Sequence, residues 1–114
     1  MNSRIDLHLH STASDGRLSP TDVVKLAASR GLRLIALTDH DTTNGCDEAQ
    51  AQGERENLRV IAGVELNTDS DLGEVHILGY FKHIHHPKLQ EALDGLRIKR
   101  EERARQIVEK LNSI

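Results

Sequence analysis

The segment Asp6-Leu7-His8-Leu9-His10 places two imidazoles two residues apart, and related polar clusters recur at Thr38-Asp39-His40-Asp41, at Glu65 and at His76. On a strand rising about 3.3 Å per residue, His8 and His10 have side-chain bases about 6.5 to 7 Å apart, which suits chelation of one ion. With Asp15 the chain offers six ligand candidates: His8, His10, Asp15, His40, Glu65 and His76. Mixed imidazole and carboxylate donors without thiolate suit zinc, manganese or iron rather than calcium, and a carboxylate such as Glu65 can bridge two ions. A lone histidine at a strand end is ordinarily solvated or hydrogen-bonded. Six candidates gathered on one edge point instead to a metal centre. Asp6 and Asp39 precede ligands and could orient them by hydrogen bonds, although Asp6 could equally be a simple strand-end acceptor. Arg17, near Asp15, could meet a phosphate, with a solvated arginine as the simpler role.

The elements that must carry these residues follow from periodicity. Arg4 to Leu9 alternates, with Ile5, Leu7 and Leu9 on one side of a strand and Asp6, His8 and His10 on the other. Ser11 to Arg17 is a polar loop with Gly16 as its turn residue. Ser19-Pro20-Thr21-Asp22 is a helix start, with Ser19 as cap and Pro20 at the first helical position. Val23, Val24, Leu26, Ala27 and Ala28 supply its apolar stripe, and Gly31 ends it. Leu32 to Thr38 is mostly apolar, as a strand covered on both faces would be, so strand, helix and strand form a βαβ unit. A second helix is expected over Cys46 to Gln52, a third strand over Arg59 to Leu66 and a fourth over Val75 to Phe81. The loop Asn67 to Glu74 joins the last two without a helix, which makes that pair locally antiparallel or bent. The segment from Pro87 to Ile114 is helical in pattern, with Gly95 as a break and Arg97 to Arg105 as a solvated face. In parallel α/β architectures the carboxyl ends of the strands form the active face, and all six candidates are expected there.

Composition narrows the class. The 114 residues suffice for one small core, and with 2% aromatic residues that core must be built from Leu, Ile, Val and Ala. A net charge of -3 argues against a broad basic nucleic-acid surface, while bound cations could still hold an anionic substrate. Cys46 is the single cysteine, so an internal disulfide and a cysteine zinc cage are both excluded; packing is its expected role. No window reaches the length of a membrane span, and the amino terminus reads as a strand rather than a leader. A cytoplasmic protein without membrane association is expected. His83, His85 and His86 fall in a turn before the last helix, where solvated histidines are common.

Read together, Asp6-Leu-His-Leu-His10-Ser-Thr, Ser14-Asp-Gly16, Ala36-Leu-Thr-Asp-His-Asp-Thr42 with Gly45, Gly63-Val-Glu-Leu66 and Val75-His-Ile-Leu-Gly-Tyr80 closely resemble the amino-terminal half of the PHP (polymerase and histidinol phosphatase) superfamily of metal-dependent phosphoesterases. The resemblance covers nearly the whole chain. The His76 to Tyr80 stretch looks most like the branch holding nucleoside 3′,5′-bisphosphate phosphatases and RNA 5′-end exonucleases. The resemblance implies an α/β fold: part of a distorted, TIM-like (β/α) barrel comprising about the first four strands and a C-terminal helix. Residues 1–86 would be the amino-terminal half of the domain, and 87–114 the start of a helical insertion. It also implies two or three divalent ions, with His8, His10 and Glu65 at one, Asp15 and His40 at a second, and His76 with Glu65 at a third.

The family completes these shells with further histidines and an Asp-x-His pair from later strands, which this sequence does not contain. A truncated chain is therefore expected, with an open sheet edge through which copies could associate. The expected activity is hydrolysis of a phosphate ester of a nucleotide or an oligonucleotide 5′ end by a metal-activated hydroxide, with no side chain singled out as acid or base. Two other readings stand beside it. One is a catalytically inactive metal-binding or assembly fragment; the other, weaker because no lysine lies at a strand end, is a metal-dependent amidohydrolase.

Overall fold

A computed structural model of the chain describes residues 4–70 and 73–113. The elements run β1 (Ile5–Leu9), α1 (Pro20–Ser29), β2 (Leu34–Leu37), α2 (Cys46–Glu56), β3 (Arg59–Ser70), β4 (Gly73–Phe81) and α3 (Pro87–Asn112). The chain divides into two compact units, residues 1–84 and residues 85–114. In the first unit four strands form one sheet in the order β1-β2-β3-β4. The β1–β2 and β2–β3 pairs are parallel and linked through helices, whereas β3 and β4 form an antiparallel hairpin. This is an α/β half-barrel, curled enough for Tyr80 on β4 to hydrogen-bond the Leu7 carbonyl on β1.

Local chemistry sets the helix ends. The Ser19 hydroxyl accepts from the Asp22 N–H at 3.1 Å, Pro20 fills the first turn, and Gly31 follows α1 at φ 77. The α1 residues Pro20, Val23, Val24 and Ala27 are buried, the i, i+3, i+4, i+7 stripe of a helix lying on a sheet. Leu26 was expected in that stripe, but it lies off its axis and is 44% exposed. Ile35, Ala36 and Leu37 of β2 are fully buried, as befits a strand with neighbours on both sides and both faces covered. Val24, Ile35, Leu37, Cys46, Ala49 and Ala62 belong to one continuous core between the sheet and the two helices. Val24, Ile35 and Leu37 each contribute roughly 1.5–3 kcal/mol through burial.

Four expectations need correction. The helix beginning at Cys46 extends past Gln52 to Glu56, where Asn57 adopts a left-handed conformation and returns its N–H to the last turn. Gly53 interrupts the helical pattern in sequence without interrupting the helix. The expected loop from Asn67 to Glu74 is mostly hairpin, in continuous register from Ala62↔Phe81 to Ser70↔Gly73. Polar residues are compatible with a strand where a hairpin arm extends into solvent, and the Thr68 hydroxyl supports the pairing by donating to the Val75 carbonyl at 3.0 Å. In the second unit α3 passes through Gly95 unbroken, because the helix formers around it outweigh a glycine penalty of only about 1 kcal/mol.

The fourth correction concerns β1. Its register pairs Asp6 with Ile35 and then Leu9 with Leu37, so one extra residue is accommodated between them. The simple alternation fails there: Asp6 and Leu9 line the same cavity beside α1, instead of opposite faces. Among the described residues no helix is long and apolar enough to cross a membrane.

The exposure difference within one helix and its strand is directly testable. Leu37→Ala is expected to destabilise the first unit by about 3 kcal/mol, whereas Leu26→Ala should cost less than about 1 kcal/mol. Urea titrations followed by circular dichroism measure both.

Candidate metal centre

All six ligand candidates come together at one edge of the half-barrel, but through a different arrangement of strands than the sequence suggested. Glu65 was expected at the end of its strand; it lies mid-strand, because β3 continues to Ser70. It nevertheless stands at the carboxyl edge of the shorter parallel strands, where His40 forms an isolated parallel bridge with it. The Glu65 N–H donates to the Asp39 carbonyl at 3.0 Å, and the Asp41 N–H donates to the Glu65 carbonyl at 3.1 Å. His76 sits near the start of β4 rather than at its end. Because β4 runs antiparallel, its beginning is level with the carboxyl ends of the other strands.

The Glu65 carboxylate is the meeting point. Its Oε1 contacts His8 Nε2 and lies 3.5 Å from His10 Nε2, while Oε2 is 3.0 Å from His40 Nδ1 and 3.2 Å from His76 Nδ1. Asp15 forms a second junction, with Oδ1 at 3.0 Å from His10 Nδ1 and Oδ2 at 3.1 Å from His40 Nε2. Two sets, His8/His10/Glu65 and His10/Asp15/His40, each bring three ligand atoms within 4.8 Å of one another. The rings of His10 and His40 are 4.5 Å apart between centroids. Burial raises the Glu65 carboxyl, but hydrogen bonds from His76 and His8 and the charges of His40 and His10 outweigh it, so its pKa is lowered overall. Asp15 is lowered in the same way: desolvation opposes the shift, and the His10 hydrogen bond with the His40 and His10 charges prevails.

The donor set fits a cation. Glu65 is 3% exposed, and a buried carboxylate surrounded by imidazoles is stable only if positive charge reaches it. Although His40 Nδ1 is close to Glu65 Oε2, its alignment makes no hydrogen bond, and it is a buried nitrogen without a partner. Such an atom is suited to a ligand that accepts its lone pair. The other buried side-chain polar atom lacking a partner among the described residues is Asn67 Oδ1, directly opposite His76 in the hairpin register. Sequence reasoning passed over Asn67 because its segment read as loop; a strand extended by two residues beyond Glu65 would have placed it on the Glu65 face.

The two flanking aspartates act on backbone and loop rather than on imidazoles. Asp6 Oδ1 accepts from the His8 backbone N–H at 3.1 Å. Asp39 is buried and accepts from the Ser11 N–H at 2.6 Å, the Ser11 hydroxyl at 2.7 Å and the Ser14 hydroxyl at 2.7 Å. Three donors on one carboxylate tie down the loop that carries Asp15. Gly16 completes this attachment, since a Cβ there would lie 2.6 Å from the His10 carbonyl oxygen. Arg17 lines the cavity of about 360 Å³ between β1 and α1, together with His10, Leu26 and Arg30. Cys46 lies in the core with Sγ facing the Leu37 and Gly63 carbonyls, and burial raises its pKa to about 11. His83, His85 and His86 are exposed; His86 caps α3 by accepting from the Lys88 N–H.

Residues 6–113 match the family model described as "PHP domain". The chain is 42% identical over 111 residues to a 5'-3' exoribonuclease of Haemophilus influenzae, covering 97% of this chain and 40% of that protein. It is 44% identical over 105 residues to a 3',5'-nucleoside bisphosphate phosphatase of Chromobacterium violaceum, covering 92% of this chain and 37% of that protein. The chain thus spans about 40% of the length of these curated relatives. Among solved structures, an amidohydrolase from Chromobacterium violaceum with bound sulfate and no metal superposes with a TM-score of 0.87 at 42% identity, covering 97% of this chain and 39% of that one. A protein from Bifidobacterium adolescentis described as a metal-dependent phosphoesterase gives 0.85 at 31% identity, covering 96% and 38%.

Two measurements test the supporting residues. Asp39→Ala is expected to destabilise the chain by about 3 kcal/mol, since it leaves the buried Ser11 N–H and hydroxyl without their acceptor; urea denaturation reads this. At pH 8.5 the raised Cys46 pKa leaves about 100-fold less thiolate than in an unfolded chain. Iodoacetamide should therefore label Cys46 only after denaturation, as followed by mass spectrometry.

Proposed function

The chain belongs to the PHP-domain family, and from that premise we propose that it serves hydrolysis of a phosphate ester, of a nucleotide or of an oligonucleotide 5′ end. The observation that carries the proposal is the convergence of three histidines and two carboxylates into two overlapping three-ligand sets at one sheet edge, with His76 beside Glu65. His8, His10 and Glu65 would hold one divalent ion, and Asp15 and His40 a second. His76 beside Glu65 offers a position for a third. Manganese, zinc and iron all suit these donors. Bound cations would supply Lewis acidity to water and to a phosphate ester.

The chain's own residues contribute position and charge. Glu65 directs its two oxygens to different pairs of imidazoles, so one carboxylate can serve neighbouring ions. Asp15 does the same for His10 and His40 from a loop fixed by Asp39. His8, His76 and Asp15 are the more exposed members, which leaves the cluster open to an anionic substrate on that side. Arg17, in the adjoining cavity with His10, is available to a substrate phosphate beyond the reacting one. The names of the relatives, an exoribonuclease and a nucleoside bisphosphate phosphatase, support a nucleotide ester as the substrate class.

A second reading, metal binding or assembly without turnover, is favoured by the chain's span of about 40% of those relatives. Metal analysis of the purified chain, followed by phosphate release from a nucleoside 3′,5′-bisphosphate with and without manganese, separates the two. The proposal expects one or more bound divalent ions and manganese-dependent release, with release reduced at least about 100-fold in His40→Ala. Bound metal without release selects the second reading. Failure of the parent chain to take up metal after reconstitution would sink both.

A further inference from the structure

The peptide unit joining Leu7 to His8 lies where β1 departs from its regular ladder with β2. Both of its polar groups are nevertheless held, each by a side chain. The N–H of His8 donates to Asp6 Oδ1 at 3.1 Å, and the carbonyl of Leu7 accepts from the Tyr80 hydroxyl at 2.8 Å. Tyr80 belongs to β4, at the opposite end of the sheet order, so this bond crosses the concave side of the half-barrel from last strand to first. Gly63 makes room for the ring. It faces Tyr80 in the hairpin register, and a Cβ there would lie 3.2 Å from Tyr80 Cδ1 and 2.9 Å from Thr38 Cγ2.

We infer that Tyr80 and Asp6 are positioning residues that clamp the Leu7–His8 peptide from its two ends and thereby aim the His8 imidazole at Glu65. A peptide outside the ladder can rotate as a plane, and such rotation redirects the Cα–Cβ bond of the next residue. In β1 that next residue is the half-exposed His8, whose Nε2 meets the Glu65 carboxylate. Fixing one polar group leaves rotation about that contact. Fixing both removes it. The bulge thus frees the His8 backbone from strand geometry, and the two side chains impose another geometry in its place. Asp6 supplies its contact locally, whereas Tyr80 couples the orientation of His8 to the curl of the whole sheet.

The inference rests on the metal-centre reading for its consequence but not for its geometry, and two measurements separate them. Tyr80→Phe keeps the ring and removes only the hydroxyl; Asp6→Ala and the double variant complete a cycle. In the metal-free chain, Tyr80→Phe is expected to raise hydrogen exchange at the His8 amide severalfold while the Val64 amide in the central sheet stays unchanged. An unchanged His8 amide overturns the clamp, whether or not the chain binds metal. With cobalt(II), each single variant is expected to weaken binding about tenfold and alter the visible spectrum, with the double variant falling short of the product because both act on one peptide. Faster exchange with unchanged cobalt affinity and spectrum overturns the aiming role. If Tyr80→Phe shows the exchange effect while the parent binds no cobalt, the clamp stands and the metal-centre reading falls.

Discussion

The first unit is organised around a carboxylate that would be untenable alone. Glu65 is almost fully buried, and an isolated buried carboxylate is strongly disfavoured. Four imidazoles, from two other segments and its own hairpin, offset that cost. Its backbone is equally committed, hydrogen-bonded on both sides to the Asp39-His40-Asp41 segment. This segment lies beyond the formal end of β2, yet it extends the parallel pairing by one rung. The pairing of β2 with β3 therefore does more than build the sheet, because its extension delivers His40 to Glu65.

The polar support beneath the centre follows the same logic. Asp39 occupies the position next to a ligand but turns inward, gathering Ser11 and Ser14. Its buried charge is satisfied by three donors from one loop, and that loop carries Asp15. A buried network of this kind stabilises its members only when complete, so the loop conformation and the burial of Asp39 depend on each other. The hydrophobic core lies on the other face of the sheet, against α1 and α2. Packing and ligation are thus separated by the thickness of one sheet.

Much of this was legible in sequence because it depends on local rules. The Ser19-Pro20 start and the Gly31 stop of α1, the doubly buried β2 and the antiparallel possibility for the last two strands each follow from a few adjacent residues. The gathering of His8, His10, His40 and Glu65 was also legible, since parallel strands present their carboxyl ends together. Misread features were those decided at long range. The bulge in β1 is invisible in an alternating pattern, because Asp6 fits the polar phase equally well with or without it. Leu26 is apolar and helical, yet its exposure depends on how far the sheet extends beneath α1. Asn67 and Thr68 resemble loop residues until the hairpin partner is known. Asp39 was expected to address an imidazole; only the fold brings Ser11 and Ser14 within its reach.

His10 stands in both three-ligand sets, with Nδ1 toward Asp15 and Nε2 toward Glu65. A neutral imidazole carries one ring proton and one available lone pair, so its two nitrogens cannot both donate electrons unless that proton is lost. Ownership of His10 is therefore exclusive at neutral charge. A cation bound at one ring nitrogen would fix the tautomer, leaving the opposite nitrogen to present its N–H to the remaining carboxylate. The two positions would thus share one ligand, and an ion holding His10 in one set would leave the other set with only two of its three protein ligands.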